Sequence, residues 1–214
     1  MLSQAVKRNA TSSRSGTGQL DLRAKILKAA RRLFLKRGAD GVTARKIAAA
    51  VGCSATAIYL YYRNLDEVLH ELRMEGHTLL ARYLTSRAPA APIVSRLESM
   101  GRGYFRFGLE NPEFYDLMFL ARASRTARRE EIRREMFPLL LLRDAIKEGI
   151  DAGELRPELD PMLTANVLWA QIHGLTSLAV QGLLFETAPA THAQVLEQVL
   201  STARGLAKRS GRGS

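Results

Sequence analysis

Side chains that can donate hydrogen bonds to an anion are concentrated in one stretch of the sequence, between Thr43 and Arg63. Hydroxyl, phenol and guanidinium groups bond the phosphates of nucleic acids, and an arginine is long enough to reach the edge of a guanine. The stretch therefore predicts a nucleic-acid contact surface. Its candidate donors are Arg45, Lys46, Ser54, Thr56, Tyr59, Tyr61, Tyr62 and Arg63.

Two short helices joined by a glycine turn would hold these donors. Thr43 is a suitable N-cap for the first helix, and Ser54 for the second. Gly52, between them, can adopt the left-handed backbone that such a turn needs. Asn64 and Glu67 form the pattern of a capping box, which begins a longer helix. The sequence thus predicts a helical hairpin followed by a long helix.

Positive charge is concentrated in the same part of the chain. Residues 1–70 hold 13 basic and 4 acidic side chains, whereas residues 71–214 hold 19 and 17. A basic head on a nearly neutral body indicates a polyanion partner, and charge alone leaves open whether this is nucleic acid or an anionic membrane surface. The alternative is that the surplus charge only keeps the protein soluble.

Length and composition restrict the class of protein. The chain has 214 residues, of which 46% are hydrophobic, and a single cysteine, Cys53. It can bury a core, but it cannot form an internal disulfide framework or a cysteine-rich zinc module. No apolar run approaches the roughly 20 residues of a membrane-spanning helix, and the N-terminus lacks the apolar region of a secretion signal. We therefore expect a cytoplasmic protein with no membrane attachment.

Helical periodicity runs through most of the chain, so we predict an all-α fold. Residues 1–19 have little to bury and carry Lys7, Arg8 and Arg14, so we predict a mobile basic arm that either adds DNA contacts or is inert. Prolines within residues 89–92 mark the clearest break between helices. Further helices are expected at about 93–109, 112–122, 126–136, 138–152, 160–184 and 190–207.

Three segments within residues 20–70 have a specific pattern: Ile26-Leu-Lys-Ala-Ala-Arg-Arg-Leu-Phe34, Gly41-Val-Thr-Ala-Arg-Lys-Ile-Ala48 and Ala57-Ile-Tyr-Leu-Tyr-Tyr62. At this spacing they resemble the tetracycline-repressor (TetR) family. The resemblance implies a three-helix DNA-binding head over residues 20–66. It also implies a linking helix and break over 67–88, a larger helical body, and a homodimer.

The same resemblance assigns roles by position. Thr43 and Ala44 start the second helix against phosphate, and Arg45 probes a base or a phosphate. The recognition helix begins at Ser54, and Leu65 stands where the family commonly has a phosphate-binding lysine, for which Arg63 is the candidate replacement. Base specificity would then depend on arginine, on thymine-methyl contacts and on DNA shape, because the first recognition-helix side chains are small. Those small residues are Ala55, Thr56 and Ala57, followed by the backbone-contacting Tyr59, Tyr61 and Tyr62.

The rest of the chain resembles the Trp…His-Gly type of C-terminal domain in that family, through the segments 111–119, 153–157 and 169–174. The resemblance implies a ligand-binding and dimerisation domain over residues 89–207, followed by a basic tail over 208–214. The last two long helices would form the dimer interface. Their candidate interface residues are Leu163, Val167, Leu175, Leu178, Val195, Leu196 and Val199.

Trp169 and His173 share one helix face because they are four residues apart. They form either the wall of a ligand pocket with a titratable group, or a packed pair at a helix crossing, and we favour the packed pair. The arginine-rich stretch 122–134 similarly favours a solvated helix over a second nucleic-acid site. The full set of candidate ligand-binding residues is Phe105, Leu109, Phe114, Tyr115, Met118, Phe119, Trp169 and His173.

These features together predict a dimeric transcriptional regulator, most simply a repressor that a small-molecule effector releases from a palindromic operator in double-stranded DNA. One alternative is an activator or an effector-free regulator. Another is a helical protein that binds anionic membranes. An enzyme is disfavoured: the four histidines lack metal-ligand spacing, and Gly101-Arg-Gly103 is not a dinucleotide loop. We therefore expect no catalytic residues, no metal and no cofactor.

Overall fold

A computed structural model describes residues 6–85, 91–120, 135–184 and 189–208. Within these residues the regular elements are helical, which confirms the all-α fold class, and one isolated backbone bridge joins Leu155 to Ala207. A 3₁₀ turn over Ala39–Gly41 precedes the second helix, and a π-helix over Asp116–Leu120 follows the sixth. The α-helices are α1 (Val6–Arg37), α2 (Ala44–Val51), α3 (Ala55–Ile58), α4 (Leu65–Thr85), α5 (Ile93–Glu110), α6 (Pro112–Tyr115), α7 (Phe137–Asp151), α8 (Pro161–Val180) and α9 (Pro189–Arg204).

The chain divides into two compact units, Met1–Arg73 and Met74–Ser214, which we call the head and the body. The division falls inside α4. Across the described ranges, no helix combines the length and the apolar character needed to cross a bilayer.

The core of the head is formed where α1 packs against α2 and α2 against α3. Ile26 and Phe34 of α1, Ile47 of α2 and Ile58 of α3 are almost fully buried. Between α2 and α3 the backbone of Gly52 has φ of 80°, so the left-handed turn predicted at this glycine is confirmed.

The start of α4 follows the predicted capping box with one change of partner. The Asn64 side chain accepts a hydrogen bond from the backbone N–H of Glu67, at 2.9 Å. The Glu67 carboxylate accepts from the backbone N–H of Arg63, at 2.7 Å, rather than from that of Asn64. Both contacts satisfy donors that would otherwise have no partner at the entry to the helix.

The body is built around α5, which packs against α7, α8 and α9. Ile93 and Leu97 of α5 are buried with Ile146 of α7 and Ala165 of α8 in one apolar cluster. Gly103 is required for a close approach, since a Cβ at that position would overlap the carbonyl of Tyr83. Such close packing of α5 against its neighbours fixes the positions of the α5 and α8 side chains described below.

One expectation for secondary structure was wrong. α1 begins at Val6, so the backbone of residues 6–19 is helical where an unstructured arm was expected; residues 1–5 lie outside the described residues. The helix expected at 112–122 is present over its described residues, as a short α-helix that widens into the π-helix over Asp116–Leu120. Most of the helix expected at 126–136, with its arginine-rich stretch, also lies outside the described residues.

Candidate nucleic-acid interface and ligand cavity

The two predicted N-caps of the head are present. Thr43 Oγ1 accepts a hydrogen bond from the backbone N–H of Lys46 at 3.3 Å, and Ser54 Oγ accepts from that of Ala57 at 3.1 Å. Each cap satisfies one terminal N–H of its helix and fixes where the helix starts. Thr43 and Ala44 therefore stand at the N-terminal end of α2, as the sequence predicted, and Ser54 at that of α3.

Arg45 and Arg63 have side chains that can reach a ligand. Arg45 is exposed on the first turn of α2. The side chain of Arg63 is 83% exposed and lies 3.6 Å from Glu67, an ion pair too exposed to hold it firmly. Lys46 is more restrained, because its Nζ donates to the carbonyl of Gly41 at 3.3 Å. Arg45 is thus the most available cation on α2.

The α3 segment presents one exposed face. Backbone bonds from Tyr59 to Thr56 and from Tyr61 to Ile58 continue helical turns beyond the end of α3. Ile58 is buried on the inner side, while Ala55, Thr56 and Tyr59 are exposed and Ala57 and Tyr61 are half-buried. The small side chains and the two tyrosines therefore line a solvent-facing surface, as a recognition helix requires.

Sequence reasoning missed Leu60, which shares this exposed face. Its side chain is 80% exposed, next to Tyr59 at 51%. Leu60 lies one helical turn after Thr56, so a base contact by Thr56 would bring it near the DNA. Its spacing from Thr56 could have identified Leu60, but an apolar side chain is more typical of the core than of a DNA-contacting surface.

Tyr62 was wrongly predicted to contact DNA. Its side chain is only 1% exposed, and its Oη donates to the Glu71 carboxylate at 3.2 Å. The guanidinium of Arg23 stacks on the ring, 4.8 Å from its centroid, and also pairs with Glu71. Burial, with the nearby Glu71 carboxylate, raises the pKa of Tyr62 to about 12. Tyr62 is therefore a structural residue that joins α1, the α3 segment and α4.

In the body, an aromatic cluster surrounds His173. The phenolic oxygens of Tyr104 and Tyr115 each lie 2.9 Å from His173 Nδ1, and Tyr115 also donates to the His173 carbonyl at 3.1 Å. Trp169 Nε1 donates to the Tyr104 oxygen at 3.3 Å. The ring of Phe119 completes the cluster, 5.1 Å from that of His173.

Burial sets the protonation of this cluster. It lowers the pKa of His173 and raises those of Tyr104 and Tyr115, so the imidazole is neutral while the phenols keep their protons. A neutral imidazole accepts a phenolic proton at Nδ1 when its own proton is on Nε2. This arrangement favours the interpretation of His173 as a packed, hydrogen-bonded residue. Tyr104, which completes it, was not predicted.

A cavity with about 50 Å³ of space for the centre of a water molecule lies among α5, α7, α8, α9 and the end of α4. Trp169 is the one candidate ligand-binding residue that lines it; Tyr104 lines it as well. The other lining residues are Leu84, Leu97, Met100, Gly101, Pro138, Leu139, Leu142, Leu168, Gln171, Ile172, Val199, Leu200, Thr202 and Ala203.

The remaining candidate ligand-binding residues do not line this cavity, so a ligand contact by them stays a prediction. Leu109 is 44% exposed on α5 and Phe105 is buried away from the cavity. The other five belong to the aromatic cluster or to the packing around it, and their side chains do not line the cavity. These residues are Phe114, Tyr115, Met118, Phe119 and His173.

The candidate dimer residues fall into two groups. Leu163, Val167 and Leu178 of α8 are 66%, 50% and 43% exposed. Leu175 and Leu196 are buried within the body itself, so their assignment to an interface was wrong. Val195 is half-buried, and Val199 is half-buried and lines the cavity.

Helical caps, a glycine turn and an exposed recognition segment define the head as a helix-turn-helix unit, and the body as a separate helical domain. Two family models match these parts. The model for bacterial regulatory proteins of the tetR family matches residues 26–72, and that for the tetracyclin repressor-like C-terminal domain matches residues 97–203. The chain therefore belongs to the TetR family and is a DNA-binding transcriptional regulator.

Solved structures share this fold. A protein of unknown function from Rhodococcus sp. RHA1 is 25% identical, with a TM-score of 0.73 over 87% of this chain and 96% of its own. A TetR-family transcriptional regulator from Rhodococcus sp. is 19% identical, with a TM-score of 0.67 over 87% and 98%. The fatty acid degradation regulator FadR from Bacillus halodurans is 20% identical, with a TM-score of 0.62 over 83% and 97%. A comparison with curated proteins gives no match.

Proposed function

We propose that the protein is a homodimeric repressor that a small neutral molecule releases from a palindromic operator. The observation that carries this proposal is that one side of α8 lines the cavity while another side is exposed to solvent. Leu168, Trp169 and Ile172 of this helix line the cavity, while Leu163 and Leu178 are exposed. A ligand in the cavity would therefore press on the same helix that offers an apolar surface to a second copy.

The exposed surface of α8 has the spacing of a helix-packing stripe. Leu163, Val167, Gly174 and Leu178 are separated by four, seven and four residues, so they follow one side of the helix. A Cβ on Gly174 would meet nothing within 4 Å, so the glycine is not needed for packing inside the chain. Apolar side chains around a small residue suit the close approach of a partner helix, and a two-fold axis would pair α8 with itself.

Repression would depend on the geometry of this dimer. Two recognition segments bind successive half-sites only when they are about 34–36 Å apart. A ligand that favours a different position of α8 would change that separation. It shifts the balance between the two dimer geometries only by the difference in its affinity for them.

The cavity favours a neutral, apolar effector. Its walls are mostly leucine, methionine, isoleucine and valine, and none of the residues lining it is charged. Tyr104 and Gln171 are among the few polar residues there, and Gln171 already accepts a hydrogen bond from Thr202 at 3.0 Å. A ligand carrying a charge would lose its hydration without gaining a partner. A small molecule with one hydroxyl group fits better.

Trp169 makes this proposal testable, because it is the chain's single tryptophan and lines the cavity. We expect hexan-1-ol to change Trp169 fluorescence saturably and to weaken binding to an operator selected from random duplexes. Hexanoate at the same concentration is the charged control and should do neither. Filling the cavity with Leu142→Trp in a Trp169→Phe background should abolish the effect on operator binding.

Three outcomes discriminate among the functions. Operator release by the alcohol supports a repressor with an effector site. Operator binding that the alcohol leaves unchanged, while the fluorescence responds, favours an effector-free regulator or an activator. Equal binding to all duplexes and to anionic vesicles contradicts operator recognition.

Leu60 extends the proposed reading surface. Apolar side chains in the major groove distinguish thymine by its 5-methyl group. Replacing a single operator thymine by uracil removes only that methyl group. At one position per half-site, this replacement should weaken operator binding by the wild-type protein and leave operator binding by Leu60→Ala unchanged. Leu183→Ala, at an exposed leucine of the body, is the matched control. Equal uracil sensitivity of the wild type and Leu60→Ala would remove Leu60 from the reading surface.

A further inference from the structure

A groove on the head combines five cations with a small apolar floor. It lies along the outer side of α1 and at the C-terminal end of α2, with a volume of about 740 Å³. No acidic residue lines it. Its lining residues are Lys25, Lys28, Ala29, Arg31, Arg32, Leu35, Lys36, Ala50 and Val51.

Much of the positive charge in this groove is not neutralised. Lys25 pairs with Asp21 at 2.6 Å. Lys28, Arg32 and Lys36 are exposed and make no ion pair with any residue in the part of the chain that the structure describes. Like charges this close repel one another and lower the stability of the head, which a bound polyanion would reverse.

The cations of the groove are all on α1, whereas the reading surface is formed by the start of α2 and by the α3 segment. Thr43 and Arg45 lie at the N-terminal end of α2, whereas Ala50 and Val51 lie at its other end, about 8–12 Å away at 1.5 Å per residue. Along α1, the cations from Lys25 to Lys36 extend over roughly 16 Å at the same rise. A duplex strand carries one phosphate per 3.4 Å of its axis, so a row of this length can meet several phosphates.

We propose that this groove is a second contact to duplex DNA, one that binds the sugar–phosphate backbone outside the base pairs that the head reads. It rests on the operator recognition proposed above. An acidic protein segment has the same charge complementarity. DNA is favoured because the same head already holds it, so its local concentration at the groove is high whenever the operator is bound.

The test uses the full chain with Lys28→Gln, Arg32→Gln and Lys36→Gln combined. The matched control combines Arg106→Gln, Arg143→Gln and Lys147→Gln, which removes the same charge from two exposed positions of the body and the half-buried Arg143. Fluorescence anisotropy gives the dissociation constant at increasing KCl concentration on two duplexes, the selected operator alone and the operator with ten extra base pairs on each side. Circular dichroism melting confirms that both variants are folded.

Each phosphate contact contributes about 0.9 to the slope of log affinity against log salt. The groove variant should therefore lower the slope on the long duplex by up to roughly 2.7 per chain, with a smaller change on the short one. The body variant should bind both duplexes like the wild type. Binding of the groove variant that equals the wild type on the long duplex would overturn the proposal, and an acidic protein partner predicts that result.

An equal fall in slope for the groove and body variants would also overturn it, because net charge alone would then explain the effect. Operator recognition is scored separately. If the wild type prefers the operator and the groove variant has the same salt slope as the wild type, the proposed function is retained and this inference is rejected. A wild type without operator preference loses the proposed function, and the groove is still judged by the slope on long random duplex.

Discussion

Glutamate at position 178 should separate the proposed dimer into folded monomers. Leu178 is 43% exposed on the apolar side of α8, where the partner would cover it. Leu109 on α5 is 44% exposed and lies outside that stripe. Leu178→Glu and Leu109→Glu therefore make the same chemical change at equal exposure, and differ only in whether the dimer covers the position.

The magnitude follows from the area that remains to be buried. Full burial of a leucine is worth about 1.5–3 kcal/mol, so covering the exposed part of Leu178 contributes roughly 1 kcal/mol. A two-fold interface contains the residue twice, which makes about 2 kcal/mol, or roughly a 30-fold change in the dimer dissociation constant. An uncompensated buried carboxylate costs several kcal/mol more, so the total should be about 1,000-fold or greater.

Sedimentation velocity over a range of protein concentrations measures this change, and circular dichroism reports whether the variants stay folded. We expect the wild type and Leu109→Glu to sediment as dimers, and Leu178→Glu as a folded monomer. Dimers of Leu178→Glu as stable as the wild type would refute the α8 interface. Dissociation by both variants would show that the effect of the charge is not local.

Three further predictions concern individual side chains. If Arg45 reads a base, Arg45→Ala should weaken operator binding by about 1–3 kcal/mol and relax specificity at one base position; if Arg45 binds phosphate, the affinity should fall uniformly on all duplexes. Unchanged binding titrations would exclude Arg45 from the interface. Tyr62→Phe should cost about 0.5–1.5 kcal/mol of stability in urea unfolding, by loss of the Glu71 hydrogen bond, without changing the operator affinity of folded protein. Tyr59→Phe should do the reverse, and a matching loss of affinity in both would contradict the burial of Tyr62. Because burial lowers the pKa of His173, its neutral ring contributes stability that is complete above the unfolded pKa of about 6.5 and is lost as the pH falls through the folded pKa. His173→Gln should flatten that part of the pH–stability curve, and an identical curve would exclude His173 as its source.

Local features of the head could be predicted because few residues determine them. Thr43 and Ser54 cap their helices through backbone groups three residues away, and Gly52 adopts its φ of 80° within a single turn. Such interactions are encoded in short spacings, independently of the rest of the fold. The start of α4 at Asn64 belongs to the same class.

Burial of individual side chains could not be predicted in the same way. Tyr62 looks like Tyr59 and Tyr61 in sequence, but Arg23, far earlier in the chain, and Glu71, on the following helix α4, enclose its ring. No local pattern reports that enclosure.

The sides of α8 were ambiguous for a related reason. This helix has apolar residues around most of its circumference, so periodicity does not tell which of them face the chain's own core. Leu175 faces that core, and Leu178, three residues later, is exposed. The cavity depends on the packing of five separate helices, so the sequence could indicate Trp169 but not the residues opposite it.

The most direct test of operator recognition by the head compares two dissociation constants at one salt concentration. One is for an operator selected from random duplexes, and the other is for a shuffled duplex of the same length and base composition. At about 0.15 M salt we expect the operator to bind at least roughly 1,000-fold more tightly, with Arg45→Ala reducing the ratio. Equal dissociation constants for the two duplexes would contradict the assignment of the start of α2 and the exposed face of the α3 segment as a sequence-reading surface.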